Sequence, residues 1–249
     1  MPVHDAAAVG FDRGAADYEK GRPGFAPEVF ALLGRELGIG PGRRVCDLAA
    51  GTGKFTRGLV ELGADVVAIE PVAGMRREFT AALPTVELLD GTAEAIPLAT
   101  ASVDAVTGAQ AFHWFDMPVA LVEIRRVLRP GGGMAMVWNR RDHSVPWVAA
   151  MSEILLWHEQ PYNAVEATDW GALVAAAGGF TSVEHATQPF VHAMTRDLLA
   201  ARVRSMSYIS AMAVQERERM VSAVVALTTE FDEPFPLPYI CHIYWCHRV

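Results

Sequence analysis

Residues able to do chemistry in this 249-residue chain gather in five short groups: Ala49 to Gly53, Glu70, Ala93-Glu94, Gln110 to Trp114 and Asn139. The first lies in the run RRVCDLAAGTGK, Arg43 to Lys54, where a short apolar stretch ends in Asp47 and a turn of small residues. Small side chains let a ligand press against the backbone, and the helix expected from Phe55 to Leu62 offers unpaired N–H groups at its start. Glu70 follows Gly51 by about 20 residues, the separation at which an acid can accept both hydroxyls of a ribose. His113 titrates near neutrality and is the best candidate for a general base. Phe11, Tyr18, Trp114, Trp138 and Trp147 together would form an aromatic wall suited to a planar or apolar acceptor.

The spelling of the loop separates three ligand chemistries. A phosphate-cradling loop needs G-x-x-x-x-G-K-[ST]; Leu48 occupies the first glycine position and Phe55 follows Lys54. A dinucleotide fingerprint needs G-x-G-x-x-G/A; Gly51 and Gly53 fit, but Thr56 takes the third place. What remains is an acidic strand end followed by A-x-G-x-G. Ala49 costs little in that pattern at negative φ and strains the turn at positive φ.

The elements that must hold these groups alternate. A helix is expected over Pro27 to Leu37. Strands are expected at Val45 to Leu48, Asp65 to Ile69, Val86 to Leu89, Ser102 to Gly108 and Met134 to Trp138, with helices after the second and fourth. Asp116 is placed to cap the second of these helices, and Arg129 to Gly133 stops it. Alternation of this kind implies a doubly wound α/β sheet with ligands beyond the carboxyl ends of the strands, where all five groups fall. Beyond Asn139, helices are expected at Trp147 to His158, Trp170 to Ala177, Leu198 to Met212 and Val214 to Phe231. Strands are expected at Phe180 to His192 and Pro236 to Val249.

Composition bounds the class. Apolar residues make up 51% of the chain, enough for a substantial core. The net charge is −8, from 21 basic and 29 acidic residues, with only isolated arginine pairs, which disfavours a nucleic acid partner. No apolar run reaches bilayer length, and the first residues lack a basic signal-peptide region, so neither a membrane nor export is expected. Three cysteines do not make a disulfide framework, and a reduced, cytoplasmic protein is the default. Cys241 and Cys246 would point to opposite faces of a strand, as would His242 and His247, so no metal site is expected. Nothing in the sequence sets an oligomeric state.

Taken as a set, DLAAGTG, VVAIEP, GTAEAIPL, SVDAVTGAQAFHWF and VLRPGGGMAMVW resemble the class I S-adenosylmethionine (SAM) dependent methyltransferases of the methyltransferase 11 type. Tyr18-x-x-x-Arg22-Pro23 and the Gln110 to Phe115 string are similar to a small-molecule branch that includes trans-aconitate-methyltransferase-like enzymes. The resemblance implies a Rossmann-like sheet of seven strands, mostly parallel, the last antiparallel, with a helical insertion in the C-terminal half. One domain over 1–249 is expected: an arm (1–26), a SAM-binding core (27–139), an acceptor-pocket or lid region (140–235) and a terminal strand (236–249).

Carried over by position, Ala49, Gly51 and Gly53 would pass the methionyl part of SAM and Glu70 would hold the ribose. Pro71 and Met75 would flank the adenine, with Ala93 and Glu94 at its edge. Gln110 would lie below the sulfonium, and Arg22 would pair with the methionyl carboxylate. The implied activity is methyl transfer to O or N of a small-molecule acceptor, mainly by alignment and desolvation, with His113 as base if one is needed. Methylation of a small carboxylate is the alternative; it calls for a second cation, supplied by Arg140 or Arg141. A SAM-binding relative that no longer transfers methyl is a further alternative, raised by Ala49.

Overall fold

The apolar strand runs find one another in a single sheet. A computed structural model describes residues 18–156 and 168–249. Phe11, the rest of the arm before Tyr18, and the end of the helix expected to reach His158 lie outside them. After a helical turn at 18–21 come α1 (Pro27–Leu37), β1 (Arg44–Leu48), α2 (Lys54–Glu61), β2 (Asp65–Ile69), α3 (Ala73–Ala82) and β3 (Glu87–Leu89). Then follow β4 (Val103–Ala109), a 3-10 turn (Phe112–Trp114), α4 (Met117–Val127) and β5 (Leu128–Arg141). The second half contains α5 (Pro146–Ile154), α6 (Trp170–Ala177), β6 (Glu184–Met194), α7 (Arg196–Arg204), α8 (Ser207–Ser210), α9 (Val214–Ala226) and β7 (Phe235–His247).

The strand order is β3-β2-β1-β4-β5-β7-β6. β1 to β5 pair in parallel, while β7 runs antiparallel between β5 and β6. Both faces are covered, as parallel strands require. In β1, Cys46 and Leu48 face one apolar cluster and Val45 the other. In β7, Cys241 and Cys246 likewise sit in opposite clusters, where burial pushes both thiols up to about 12. Among the described residues, no helix is long and apolar enough to cross a membrane.

Among the boundaries that differ from the sequence reading, such as β6 beginning at Glu184 rather than Phe180, three have a local reason. The stretch Arg129 to Gly133 belongs to a long β5 that leaves α4 without a loop; the register with β4 shifts between Val103 and Ala105 to absorb it. The helix expected over Leu198 to Met212 breaks at Ser205-Met206, where Met206 turns extended. Arg22 explains the break: its Nε donates to Ser205 Oγ (3.0 Å) and its Nη2 to the Ser205 carbonyl (3.4 Å). A cation at that position also favours the carbonyl end of α7. The last helix stops at Ala226 rather than Phe231, because Arg196 Nη2 collects the carbonyls of Thr228, Thr229 and Phe231.

Candidate functional site

The loop after β1 is built around two buried carboxylates. Asp47 accepts the hydroxyls of Thr56 (2.6 Å) and Thr107 (2.9 Å), and burial pushes it up to about 6. Thr56, which breaks the dinucleotide spelling, therefore ties α2 back to the end of β1. Glu70, at the end of β2, accepts the Gly51 N–H through Oε2 and the Val72 N–H through Oε1, both at 2.8 Å. Burial pushes its carboxyl up to about 7 despite those bonds. Each oxygen still has a free lone-pair direction, the geometry needed to receive a vicinal diol.

The turn itself is left-handed at three positions: Ala49 (φ 51°), Gly51 (φ 60°) and Gly53 (φ 85°). The condition attached to Ala49 therefore resolves on the strained side, since only glycine takes this region without penalty. Gln110, at the end of β4, has φ 60° as well. It is held by its own N–H on the Val137 carbonyl (2.8 Å) and by its side-chain Nε2 on the Asn139 carbonyl (3.1 Å). Two strained non-glycine residues beside one cavity mark a site whose backbone positions are over-determined by their surroundings.

That cavity has two connected halves. One encloses about 760 Å³, partly open to solvent, between Glu70, Pro71, Met75, Ala93, Glu94 and Trp114. The other encloses about 490 Å³ beside Arg22, Lys54, Phe55, Asn139, Arg202 and Tyr239. Tyr18, Ala49, Gly51 and Gln110 line both, so the strained turn is the floor where the halves meet. Gly51 faces open space on the side where a side chain would project. Asn139 anchors the arm over the second half, its Nδ2 donating to the Gly24 carbonyl at 2.9 Å. Glu94 has a structural task too: its Oε1 accepts the Asp116 N–H (2.9 Å) at the start of α4, where the Asp116 side chain makes no capping bond.

Gly53 lines neither half; a side chain there would meet Leu83 and Phe79. Three other residues expected at the site lie elsewhere relative to these two halves. Trp138 is 2% exposed, stacked on Trp170 at 4.6 Å, and part of the core rather than of the cavity wall. Trp147 packs edge-on against Phe231 (5.8 Å) and Phe235 (5.9 Å), away from both halves. His113 lines neither half, and burial together with the nearby Arg22 charge pushes its imidazole down to about 3. Its Nδ1 accepts the Trp138 Nε1–H at 3.3 Å, which leaves the neutral ring's proton on Nε2. An imidazole in that state presents a hydrogen-bond donor on its other side.

Arg140 and Arg141 separate by strand alternation. The Arg141 charge acts on Arg22 and Tyr208, and the Arg140 charge on His185 and His242. Sequence reasoning missed Arg202 and Tyr239. The signal for Arg202 was a charged residue on the apolar stripe of α7, between Leu199 and Val203.

The geometry fits SAM: a carboxylate for a diol, apolar walls for a base, an open backbone turn for a short chain, and a cation at the far end. A doubly wound sheet with such a cavity at its carboxyl edge defines a Rossmann-like, nucleoside-binding enzyme. Residues 46–136 match a family described as a methyltransferase domain, of the methyltransferase 11 type. An uncharacterized methyltransferase of Mycobacterium tuberculosis is 39% identical over 87% of this chain and 84% of its own length. Another, of Schizosaccharomyces pombe, is 34% identical over 84% and 83%. A solved type II methyltransferase candidate from Anaeromyxobacter dehalogenans superposes with TM-score 0.65, 26% identity, and 91% and 97% coverage. A Haemonchus contortus phosphoethanolamine N-methyltransferase solved with S-adenosylhomocysteine shares the fold at TM-score 0.57 and 16% identity, over 95% of this chain and 57% of that one. The chain belongs to the SAM-dependent methyltransferase family.

Proposed function

We propose that this enzyme methylates an oxygen or nitrogen of a small-molecule acceptor and works by alignment and desolvation, without a protein base. The cavity running from Glu70 to Arg22 across the strained Ala49–Gln110 floor carries this reading. Glu70 receives the ribose hydroxyls, and Pro71 and Met75 flank the adenine. Ala93 and Glu94 lie at the adenine edge, and Trp114 closes that half. The backbone of Ala49 and Gly51 takes the methionyl chain, with Gln110 below the sulfonium. Arg22, fixed by Ser205 and stacked 4.9 Å over the Tyr18 ring, receives the methionyl carboxylate. SAM supplies a methyl group on a sulfonium that is already a good leaving group, so holding the acceptor in line is the main remaining task. Arg202 and Tyr239, from the second half of the chain, line the acceptor side of the pocket.

One observation favours the carboxylate reading within this class. An acceptor that arrives as a carboxylate has no proton to lose, which matches a site where His113 is no base. Calorimetry with S-adenosylhomocysteine tests the core of the proposal: micromolar-range binding is expected, weakened about tenfold or more by Glu70→Gln. No binding by the unaltered chain rejects it.

A further inference from the structure

We propose that Arg202, with Tyr239 beside it, forms a second anion subsite that receives a carboxylate or phosphate group of the methyl acceptor, apart from the position of the cofactor's carboxylate at Arg22. The inference rests on the methyltransferase reading of the cavity and names the acceptor's chemical class.

Arg202 lies on the buried side of α7 and is 6% exposed, yet it lines the cavity half next to Arg22. Its Nε donates to the Tyr239 hydroxyl at 3.3 Å, while its Nη1 is buried with no hydrogen-bond partner among the described residues. A guanidinium carries five donors, and leaving one without water or an acceptor is unfavourable. The charge is uncompensated as well. Among the described residues no carboxylate pairs with Arg22 or Arg202; the acid on the arm, Glu19, is held by Lys54 (3.6 Å) and Arg57 (2.8 Å). The Arg202 guanidinium acts on Arg22 with the same sign.

Like charges gathered out of water require anions to settle them. The methionyl carboxylate of SAM accounts for one. Arg22 is committed by its two bonds to Ser205, so the two guanidinium groups keep separate positions rather than closing on a single anion. The forked donors of Arg202 match a carboxylate or phosphate in bidentate fashion, and the Tyr239 hydroxyl, having accepted from Arg202, has its own proton to donate. The acceptor is thus anchored by an anionic group. For a carboxylate, that group is either the atom methylated or a second carboxylate that aims the first.

The test titrates the protein saturated with S-adenosylhomocysteine with two probes, tricarballylate and phenyl phosphate, by calorimetry. At least one should bind at millimolar concentration or below, and the one that binds identifies the carboxylate or the phosphate arm. Arg202→Gln should weaken that probe by about tenfold or more while leaving S-adenosylhomocysteine affinity within about threefold; Arg22→Gln should lower S-adenosylhomocysteine affinity by about tenfold. Arg202→Lys keeps the charge without the fork and should weaken the probe by an intermediate amount; it carries the test if the glutamine variant fails to fold. Three results overturn the subsite: neither probe binds the saturated protein, probe binding ignores the Arg202 variants, or Arg202→Gln loses S-adenosylhomocysteine as Arg22→Gln does. Failure of the unaltered protein to bind S-adenosylhomocysteine instead sinks the cofactor reading on which the subsite rests.

Discussion

The indole Nε1–H of Trp138, a ring buried in the core, donates to Nδ1 of His113 across 3.3 Å. The core thereby sets the tautomer of the only titratable ring in the Gln110 to Phe115 string. With burial holding the imidazole down to about 3, His113 stays neutral throughout the physiological range with its proton on Nε2. Substituting a general base removes about a hundredfold to ten-thousandfold in rate. His113→Asn, which keeps a donor, should therefore lower kcat by about tenfold or less. Nitrogen NMR of the histidine rings should show His113 as the Nε2–H form from pH 5 to 9. A protonated His113 signal at pH 6, or a thousandfold loss of kcat, contradicts this.

Cofactor affinity should depend on pH through Glu70. Its two oxygens already accept backbone N–H groups from Gly51 and Val72, so a proton would occupy a lone pair that a ribose hydroxyl needs. Burial raises this carboxyl to about 7, and the proton must leave when the diol binds. Affinity therefore rises as pH rises through that value and flattens above it, by about tenfold between pH 6 and 8. Calorimetric titrations of S-adenosylhomocysteine at pH 6, 7 and 8 check this. Glu70→Gln should bind more weakly and lose most of the pH dependence.

The parts of the site on the first half of the chain were legible because each sits at a strand end whose position follows from an apolar run. Glu70 and Gln110 needed only the β-α alternation to be placed. Arg202, Tyr239 and Ser205 come from elements after Asn139, and only tertiary packing brings them to the arm; no local spacing encodes that meeting. The surroundings of Trp138 and Trp147 were not legible for a related reason. A tryptophan's type does not reveal whether its strand or helix face meets a cavity or a second apolar layer, and both meet apolar layers here. The state of His113 was not legible because its tautomer depends on a partner 25 residues away.

Ala49 stands in the left-handed region where the resemblance leads one to expect glycine. An alanine there costs about 1–2 kcal/mol relative to the right-handed form. Glycine relieves that strain but adds freedom to the unfolded chain, which offsets about 0.4–1 kcal/mol. Ala49→Gly should thus stabilise the fold by about 1 kcal/mol in denaturant titrations, with S-adenosylhomocysteine affinity changed by less than about threefold. Ala49→Val should destabilise it and weaken binding together, because a branched side chain worsens the strain and enters the cavity floor. Loss of stability in the glycine variant would show that the strain lies elsewhere.

Gly21 carries the arm onto α7 and so controls both arginine positions. A Cβ at Gly21 would stand 2.3 Å from the Arg202 nitrogen and 2.6 Å from the Ala201 carbonyl carbon, and both are backbone atoms that cannot swing away. Gly21→Ala must therefore lift the arm, stretching the Arg22 bonds to Ser205 that sit one residue away. Overpacking of this kind costs about 1–3 kcal/mol. S-adenosylhomocysteine affinity should fall by about tenfold, since the arm supplies both Tyr18 and Arg22 to the cavity. Gly24 provides the comparison: a Cβ there meets nothing within 4 Å, so Gly24→Ala should bind within about twofold of the unaltered protein. Equal behaviour of the two alanine variants, in calorimetry and thermal unfolding alike, would mean that close packing of the arm on α7 does not position Arg22.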